Sequence, residues 1–208
     1  MRVLVTGGAG RLGISVCKEL LNNGYRVRVF DLDTPRNRES VKAFRGKAEI
    51  LWGDITKSES VKKALNKVDA VVHMAGILPP LADENPELCA KVNVGGTKVL
   101  VDLIKEEGGH IPFIFTSSVT VFGPCPDATE PISVDRTVPH PKGVYPETKL
   151  KAEDVIKESG IDYLILRLTA IMYFNFEVSD LKRMFSVPLN NRVEFCHPDD
   201  LAAAILNA

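Results

Sequence analysis

The chain has no excess of either charge: 26 Lys and Arg stand against 27 Asp and Glu in 208 residues. No block of like charge breaks that balance, which argues against a nucleic-acid arm and a membrane-surface helix. Aromatic residues make up only 7%, a thin basis for stacking bases. No apolar run approaches the roughly 20 residues of a membrane span. Cysteine is scarce and scattered: Cys17, Cys89, Cys125 and Cys196 form no Cys-x-x-Cys pair. They read as reduced, mostly buried thiols of a cytosolic protein. The four histidines are equally dispersed, so no metal site is expected. The chain opens on a strand pattern, so no signal peptide is expected. Repeats and low-complexity tracts are absent.

What is present is an alternation of strand and helix patterns in a chain of single-domain length. Short apolar runs at Arg2–Thr6, Arg26–Asp31, Glu49–Trp52, Ala70–His73, Phe113–Ser117 and Tyr163–Arg167 read as strands covered on both faces. Leu12, Val16, Leu20 and Leu21 share one helical face, ended by Asn23-Gly24. Thr56-Lys57-Ser58-Glu59 is a capping-box pattern for a helix running to Asn66. A longer helix is expected from Pro86 to about Glu107, and another from about Tyr145 to Glu158. Such units predict a Rossmann-type doubly wound α/β fold, a parallel sheet with helices on both faces. Ligands then bind at the carboxyl ends of the strands, near Gly7, Asp31, Asp54, Ala75, Ser118 and beyond Arg167. The proline-rich stretch Gly123–Val144 is long for a compact domain and reads as a lid or a disordered segment. The tail holds a candidate strand, Val193–Cys196, and a helix capped at His197-Pro198-Asp199-Asp200.

The first strand runs straight into Gly7-Gly8-Ala9-Gly10-Arg11-Leu12-Gly13 and a helix. Glycines at this spacing allow a tight turn and close approach of backbone to a pyrophosphate, which faces the positive end of the helix. Asp31 closes the second strand, 18 residues after Gly13. Its carboxylate suits both adenosine ribose hydroxyls and repels a 2′-phosphate, which favours NAD over NADP. It also reads as a turn residue before Asp33-Thr34-Pro35, and Arg36 and Arg38 leave NADP open. Asp54, before Ile55, is either an acceptor for the adenine amino group or a turn residue. Small residues in Met74-Ala75-Gly76 let backbone pack on the cofactor. His73 reads as a packed strand-end histidine.

Tyr145-x-x-x-Lys149 places a phenol and an ammonium on one helix face. A tyrosine is a poor base at neutral pH, and an adjacent ammonium is expected to lower its pKa. Tyr145 can then exchange a proton with a substrate hydroxyl while hydride moves to or from nicotinamide. The fifth strand ends Thr116-Ser117-Ser118, where a serine hydroxyl can orient the substrate oxygen or, alternatively, cap the loop.

Together these pieces resemble an extended short-chain dehydrogenase/reductase of the NAD-dependent epimerase/dehydratase group. The resemblance is carried by Thr6 to Gly13, Gly53-Asp54-Ile55, His73 to Gly76, Asn93-Val94-Gly95-Gly96-Thr97, Thr116 to Gly123, Tyr145-x-x-x-Lys149 and His197 to Ala202, nearly the whole chain. It implies Tyr145 as acid/base, Lys149 as its tuner and a ribose ligand, and Ser118 as partner of the substrate oxygen. It implies a catalytic-site and cofactor role for Asn93, and a nicotinamide pocket lined by Leu168 to Ile171. The cofactor set on this view is Gly7, Gly10, Arg11, Leu12, Gly13, Asp31, Asp54, Ile55, Met74, Ala75, Gly76, Asn93, Thr116, Tyr145, Lys149, Leu168 and Ile171. The family's dehydratases carry Asp-Glu after the serine. Val119-Thr120 stands there instead, which disfavours dehydration.

The resulting expectation is a dinucleotide-binding domain over 1–167, with a reduced or truncated substrate-binding portion over 168–208 packed on it. The expected activity is that of an NAD-dependent epimerase or dehydrogenase/reductase acting on a secondary alcohol or ketone of a sugar-like or nucleotide-sugar substrate. The competing reading is a non-catalytic NAD(P)-binding sensor. The resemblance further implies a homodimer through the two long helices, and the composition implies a cytoplasmic location with no nucleic-acid or membrane partner.

Overall fold

The apolar runs form strands whose successive side chains point to opposite faces; both faces of the central strands are covered, while Tyr163 and Leu164 at one edge stay exposed. A computed structural model describes residues 1–44, 46–124, 132–173 and 194–208. Six strands, β1 (Arg2–Thr6), β2 (Arg26–Asp31), β3 (Glu49–Trp52), β4 (Ala70–His73), β5 (Phe113–Ser118) and β6 (Tyr163–Leu168), form one sheet in the order β3-β2-β1-β4-β5-β6. Every pairing is parallel, so all six carboxyl ends lie along one edge. The order reverses between β1 and β4, which opens the crevice where such sheets bind ligands.

The helices are α1 (Arg11–Asn22), α2 (Pro35–Ser40), α3 (Ser58–Leu65), α4 (Leu81–Glu84), α5 (Pro86–Ala90), α6 (Thr97–Glu106), α7 (Val144–Lys157) and α8 (Pro198–Leu206). One core layer joins Leu4, Phe30, Val71, Phe113 and Phe115 to Val61, Leu100, Ile104 and Ile156. The other joins Val3, Val5, Val29 and Val72 to Val16, Leu20, Leu201 and Ile205. The neighbours Leu4 and Val5, or Val71 and Val72, therefore face opposite layers, as the pleat requires. Helix α8 packs on α1, so the end of the chain contributes to the same core.

Three local features differ from the sequence expectation. The long helix after Pro86 is divided: α5 and α6 are joined by a π-helical turn over Lys91–Gly96. The capping box does not form. Lys57 is the N-cap of α3, and the Thr56 hydroxyl donates to Asp54 Oδ1 instead, at 2.9 Å. The tail strand is short: β8 (Phe195–Cys196) pairs in parallel with β7 (Ala170–Ile171), while Val193 lies outside the described residues. Of the Gly123–Val144 stretch, residues 125–131, including Cys125, also lie outside them.

Candidate active site

The glycine turn is shaped by three separate demands. Gly7 has φ +70°, and a Cβ there would come within 2.8 Å of the Ala75 backbone nitrogen. Gly13 lies so close to Gly7 and Gly8 that any side chain would collide with their backbone. Gly10 is exposed, and a Cβ there would meet only the Gly7 carbonyl, at 3.1 Å. Two glycines thus fold the turn, and the third keeps its outer side open. Gly10 is also the N-cap of α1 and brings no capping side chain. The first N–H groups of this helix therefore suit an anion. Leu12 is half-buried against the core. Arg11 is exposed and its guanidinium stacks on the Tyr173 ring, 4.0 Å from the centroid.

At the β2 end, Asp31 accepts hydrogen bonds from the Ala9 N–H (3.0 Å), the Leu32 N–H (2.8 Å) and the Asn37 amide (3.1 Å). Burial pushes its carboxyl upward in pKa, against the two backbone bonds that lower it. An ionised carboxylate offers about four acceptor positions, so room remains for a ribose hydroxyl. Asp54 accepts from both the N–H (2.8 Å) and the hydroxyl of Thr56. That is the turn role, and it leaves the other oxygen, Oδ2, for a ligand. The Ile55 side chain is committed to the core, where it packs against Gly96.

Thr6 and His73 lock the ends of β1 and β4 together. Thr6 Oγ1 and His73 Nδ1 lie 2.6 Å apart, His73 Nε2 lies 2.9 Å from Thr97 Oγ1, and the Ala75 N–H donates to Thr6 Oγ1 at 3.2 Å. His73 is fully buried, and burial with Lys149 nearby pulls its pKa down to about 3. It is a neutral structural histidine, as expected. Met74 is half-buried against the core, so this strand end would meet a cofactor mainly through the backbone of Ala75 and Gly76.

Asn93 lies in the π turn and is buried. Its Oδ1 accepts from the Ile77 N–H at 2.7 Å, and its Nδ2 donates to Ile77 O at 3.0 Å and Thr148 Oγ1 at 3.1 Å. Thr148 in turn donates to the Tyr145 carbonyl at 2.8 Å. Both amide protons of Asn93 are thereby engaged. Asn93 thus fastens the loop after β4 to the first turn of α7. π turns commonly occur at functional sites.

Helix α7 brings Tyr145 and Lys149 beneath the end of β5. The Ser118 hydroxyl accepts from the Thr120 N–H (3.2 Å) and the Thr120 hydroxyl (2.9 Å). Its own proton is then available to a nearby oxygen, and its proximity acts to lower the Tyr145 pKa. Lys149 Nζ donates to the Thr116 carbonyl at 2.8 Å and lies 4.6 Å from the Phe115 ring centroid and 6.0 Å from that of Tyr145. Burial is the dominant influence on both groups. It lowers Lys149 to about 8 and raises Tyr145 to about 12, the latter against the nearby Ser118 hydroxyl. The expectation that Lys149 lowers the tyrosine pKa is therefore reversed by desolvation among the protein's own groups. Leu168 stands in register beside Ser118. Ile171 is on the separate β7–β8 ribbon.

Sequence reasoning missed Glu153, one helical turn beyond Lys149. It is fully buried, accepts from Ser117 Oγ at 2.6 Å, and is gripped by Arg167 at 2.9 and 2.6 Å and by Lys157 at 2.9 Å. Its spacing of four from Lys149 was the available signal. Thr120, Thr148 and Asn37 were also missed. Among the described residues no His, Cys, Asp and Glu group could hold a metal, and no helix is long and apolar enough to cross a membrane.

The sheet order, the glycine turn and the Ser–Tyr–Lys cluster define a dinucleotide-binding fold of the short-chain dehydrogenase/reductase type. The chain belongs to the NAD dependent epimerase/dehydratase family, whose sequence profile matches residues 3–208. It is 34% identical over 182 residues to a UDP-glucose 4-epimerase of Haemophilus influenzae, covering 84% of this chain and 53% of that protein. It is 32% identical over 173 residues to a 3 beta-hydroxysteroid dehydrogenase/Delta 5-->4-isomerase of Mycobacterium tuberculosis, covering 79% and 44%. A solved UDP-glucose 4-epimerase of Thermus thermophilus, in complex with NAD, shares the fold with a TM-score of 0.84 at 23% identity, over 100% of this chain and 74% of that one. The chain spans about half the length of the curated relatives it matches.

Proposed function

We propose that this chain carries the NAD-binding and acid/base half of an epimerase or dehydrogenase/reductase that acts on a secondary alcohol or its ketone. The observation that carries the reading is the placement of buried Lys149 beside the Tyr145 ring, its Nζ 6.0 Å from the centroid, at the end of the strand that carries Ser118. The matched relatives are named for UDP-glucose and for 3β-hydroxysteroids, and their shared chemistry is a secondary alcohol. The substrate class proposed is sugar-like or nucleotide-sugar. The dinucleotide-binding unit is assigned to 1–167 and the substrate-side portion to 168–208.

Bound NAD would supply the hydride acceptor, held by the glycine turn, Asp31 and Asp54. Ser118 orients the substrate oxygen through its hydroxyl. As the phenolate, Tyr145 takes the proton from the alcohol; as the neutral phenol, it returns it to the ketone oxygen. With its pKa at about 12, Tyr145 is a neutral phenol at pH 7, ready to donate. Lys149, when protonated, opposes the cost of forming the phenolate. We further propose a homodimer through the outer faces of α6 and α7, and a cytoplasmic location in keeping with the free thiols of Cys17, Cys89 and Cys196.

The test is titration of the protein with NAD, followed by turnover of UDP-glucose, UDP-galactose and a panel of sugar alcohols by wild type and Tyr145→Phe. Turnover lost in Tyr145→Phe with NAD binding retained supports the reading. Turnover unaffected by the substitution overturns the mechanism, and NAD binding without any turnover favours a sensor. Light scattering tests the dimer, which predicts twice the mass of one chain.

A further inference from the structure

The loop after β2 carries two acidic and two basic side chains within eight residues, Asp31, Asp33, Arg36 and Arg38. Their arrangement is specific. Thr34 caps α2 by accepting from the Asn37 N–H at 3.1 Å, and Pro35 starts the helix. This short helix turns Asn37 and Arg38 back toward the carboxylates. The Asn37 amide reaches Asp31, while the next residue, Arg38, grips Asp33 through Nε–Oδ1 at 2.5 Å and Nη2–Oδ2 at 2.6 Å. The planar fork of the guanidinium is matched to both carboxylate oxygens, the same face it would offer a phosphate. Arg38 directly follows Asn37, whose amide touches the ribose-facing carboxylate, and so belongs to the loop from which an arginine can accommodate a 2′-phosphate.

We propose that Asp33 is a specificity-determining residue: by holding Arg38 in a closed ion pair, it withholds that guanidinium from the 2′-phosphate of NADP. Asp31 excludes the phosphate by repulsion, and Asp33 excludes it by occupying its ligand. The inference rests on the dinucleotide reading above. It adds a device that Asp31 alone does not explain, because a free arginine beside Asp31 would offset the repulsion.

The experiment measures NAD and NADP dissociation constants by calorimetry. Fluorescence of Trp52, the chain's single tryptophan, provides a second readout, since Trp52 pairs with Asp31 across β2 and β3. In Asp33→Ala the NADP-to-NAD ratio of dissociation constants is expected to fall about three- to fivefold, the upper scale of one exposed charge pair. In Asp33→Ala/Arg38→Ala the ratio should return to within about twofold of wild type, because the phosphate ligand is gone. The gain should also shrink at high salt. An unchanged ratio in Asp33→Ala overturns the proposal. So does an equal fall in the double variant, which would mean that removing a negative charge was the whole effect. Wild type that binds neither nucleotide overturns the dinucleotide reading itself and is distinguished by that first titration.

Discussion

Arg167 holds Glu153 with two hydrogen bonds, Nε to Oε1 at 2.9 Å and Nη2 to Oε2 at 2.6 Å. The pair ties the edge strand β6 to helix α7, and Ser117 joins β5 to the same carboxylate. Arg167 also lies over the Phe122 ring, 4.7 Å from its centroid. The residues just beyond these anchors are Ser118 and Leu168, and Lys149 is one turn away. The charge cluster is thus the frame on which the proposed proton-transfer site is mounted.

Glu153→Gln should be destabilising, by about 2–3 kcal/mol, because it leaves the partly covered Arg167 guanidinium without its counter-charge. The double substitution Glu153→Gln/Arg167→Met should recover part of that loss. Urea denaturation of the four proteins forms a double-mutant cycle. A single-variant cost below about 1 kcal/mol would show that the pair behaves like an exposed one.

Stability should decline in acid earlier than carboxylates alone would cause. His73 is held neutral, with its folded pKa at about 3 against an ordinary 6.5. Its contribution is complete above pH 6.5. Below that the unfolded chain binds a proton that the folded chain refuses, so stability falls by about 1.4 kcal/mol per pH unit. Glu153, whose pKa is lowered by Arg167, Ser117 and Lys157 despite its burial, contributes above the ordinary carboxylate range and loses that contribution as pH falls through it. Urea midpoints between pH 8 and pH 5 should show a loss of about 2 kcal/mol from His73. A flat profile over that range contradicts the assignment.

Lys149→Met should separate stability from activity. Burial lowers the pKa of Lys149 to about 8, which marks the cost of keeping an ammonium there. Removing it should be neutral or stabilising by about 1 kcal/mol. Turnover should drop by at least about a hundredfold, the lower end of what positioned acid/base groups contribute. Thermal melts paired with turnover assays check both halves. A destabilised variant would show that the bond to Thr116 O outweighs the desolvation.

Asn93→Ala should cost about 1–3 kcal/mol, since the N–H and C=O of Ile77 lose their partner. Turnover should fall through kcat more than through KM, because Thr148 and the first turn of α7 lose their tie while no substrate contact is removed. Asn93→Asp keeps the Oδ1 acceptor and should recover the stability only in part. A rise in KM alone would instead place Asn93 in direct contact with substrate.

Periodicity and punctuation were enough to locate β1 to β6 within a residue at either end, because buried parallel strands are short apolar runs bounded by turn residues. The glycine turn, Asp31, Ser118, Tyr145 and Lys149 were legible because dinucleotide and proton chemistry need those residue types at strand ends and at helical spacing. Glu153 was not legible: a charged residue on a helix ordinarily reads as solvated, and only the arrival of Arg167 and Ser117 from distant strands makes its burial tolerable. The π turn was equally hidden. It accommodates Gly96 against Ile55 and Asn93 against Ile77, contacts made across the chain. Thr56 illustrates a local contest: its hydroxyl could cap α3 or bond Asp54, and the turn after β3 decided for Asp54.

The amino-acid sequence by itself determined the family, the order of strands and helices, and the residue types at each strand end, because these follow from periodicity, turn chemistry and the spacing of a few polar groups. Tertiary structure alone decided the electrostatics. Burial raised Tyr145 and lowered Lys149 and His73, against what spacing alone predicts for the tyrosine. Folding also closed Arg38 onto Asp33 and Arg167 onto Glu153. Desolvation and ion pairing depend on which distant groups exclude water from a site, and that is settled only when the sheet and helices pack.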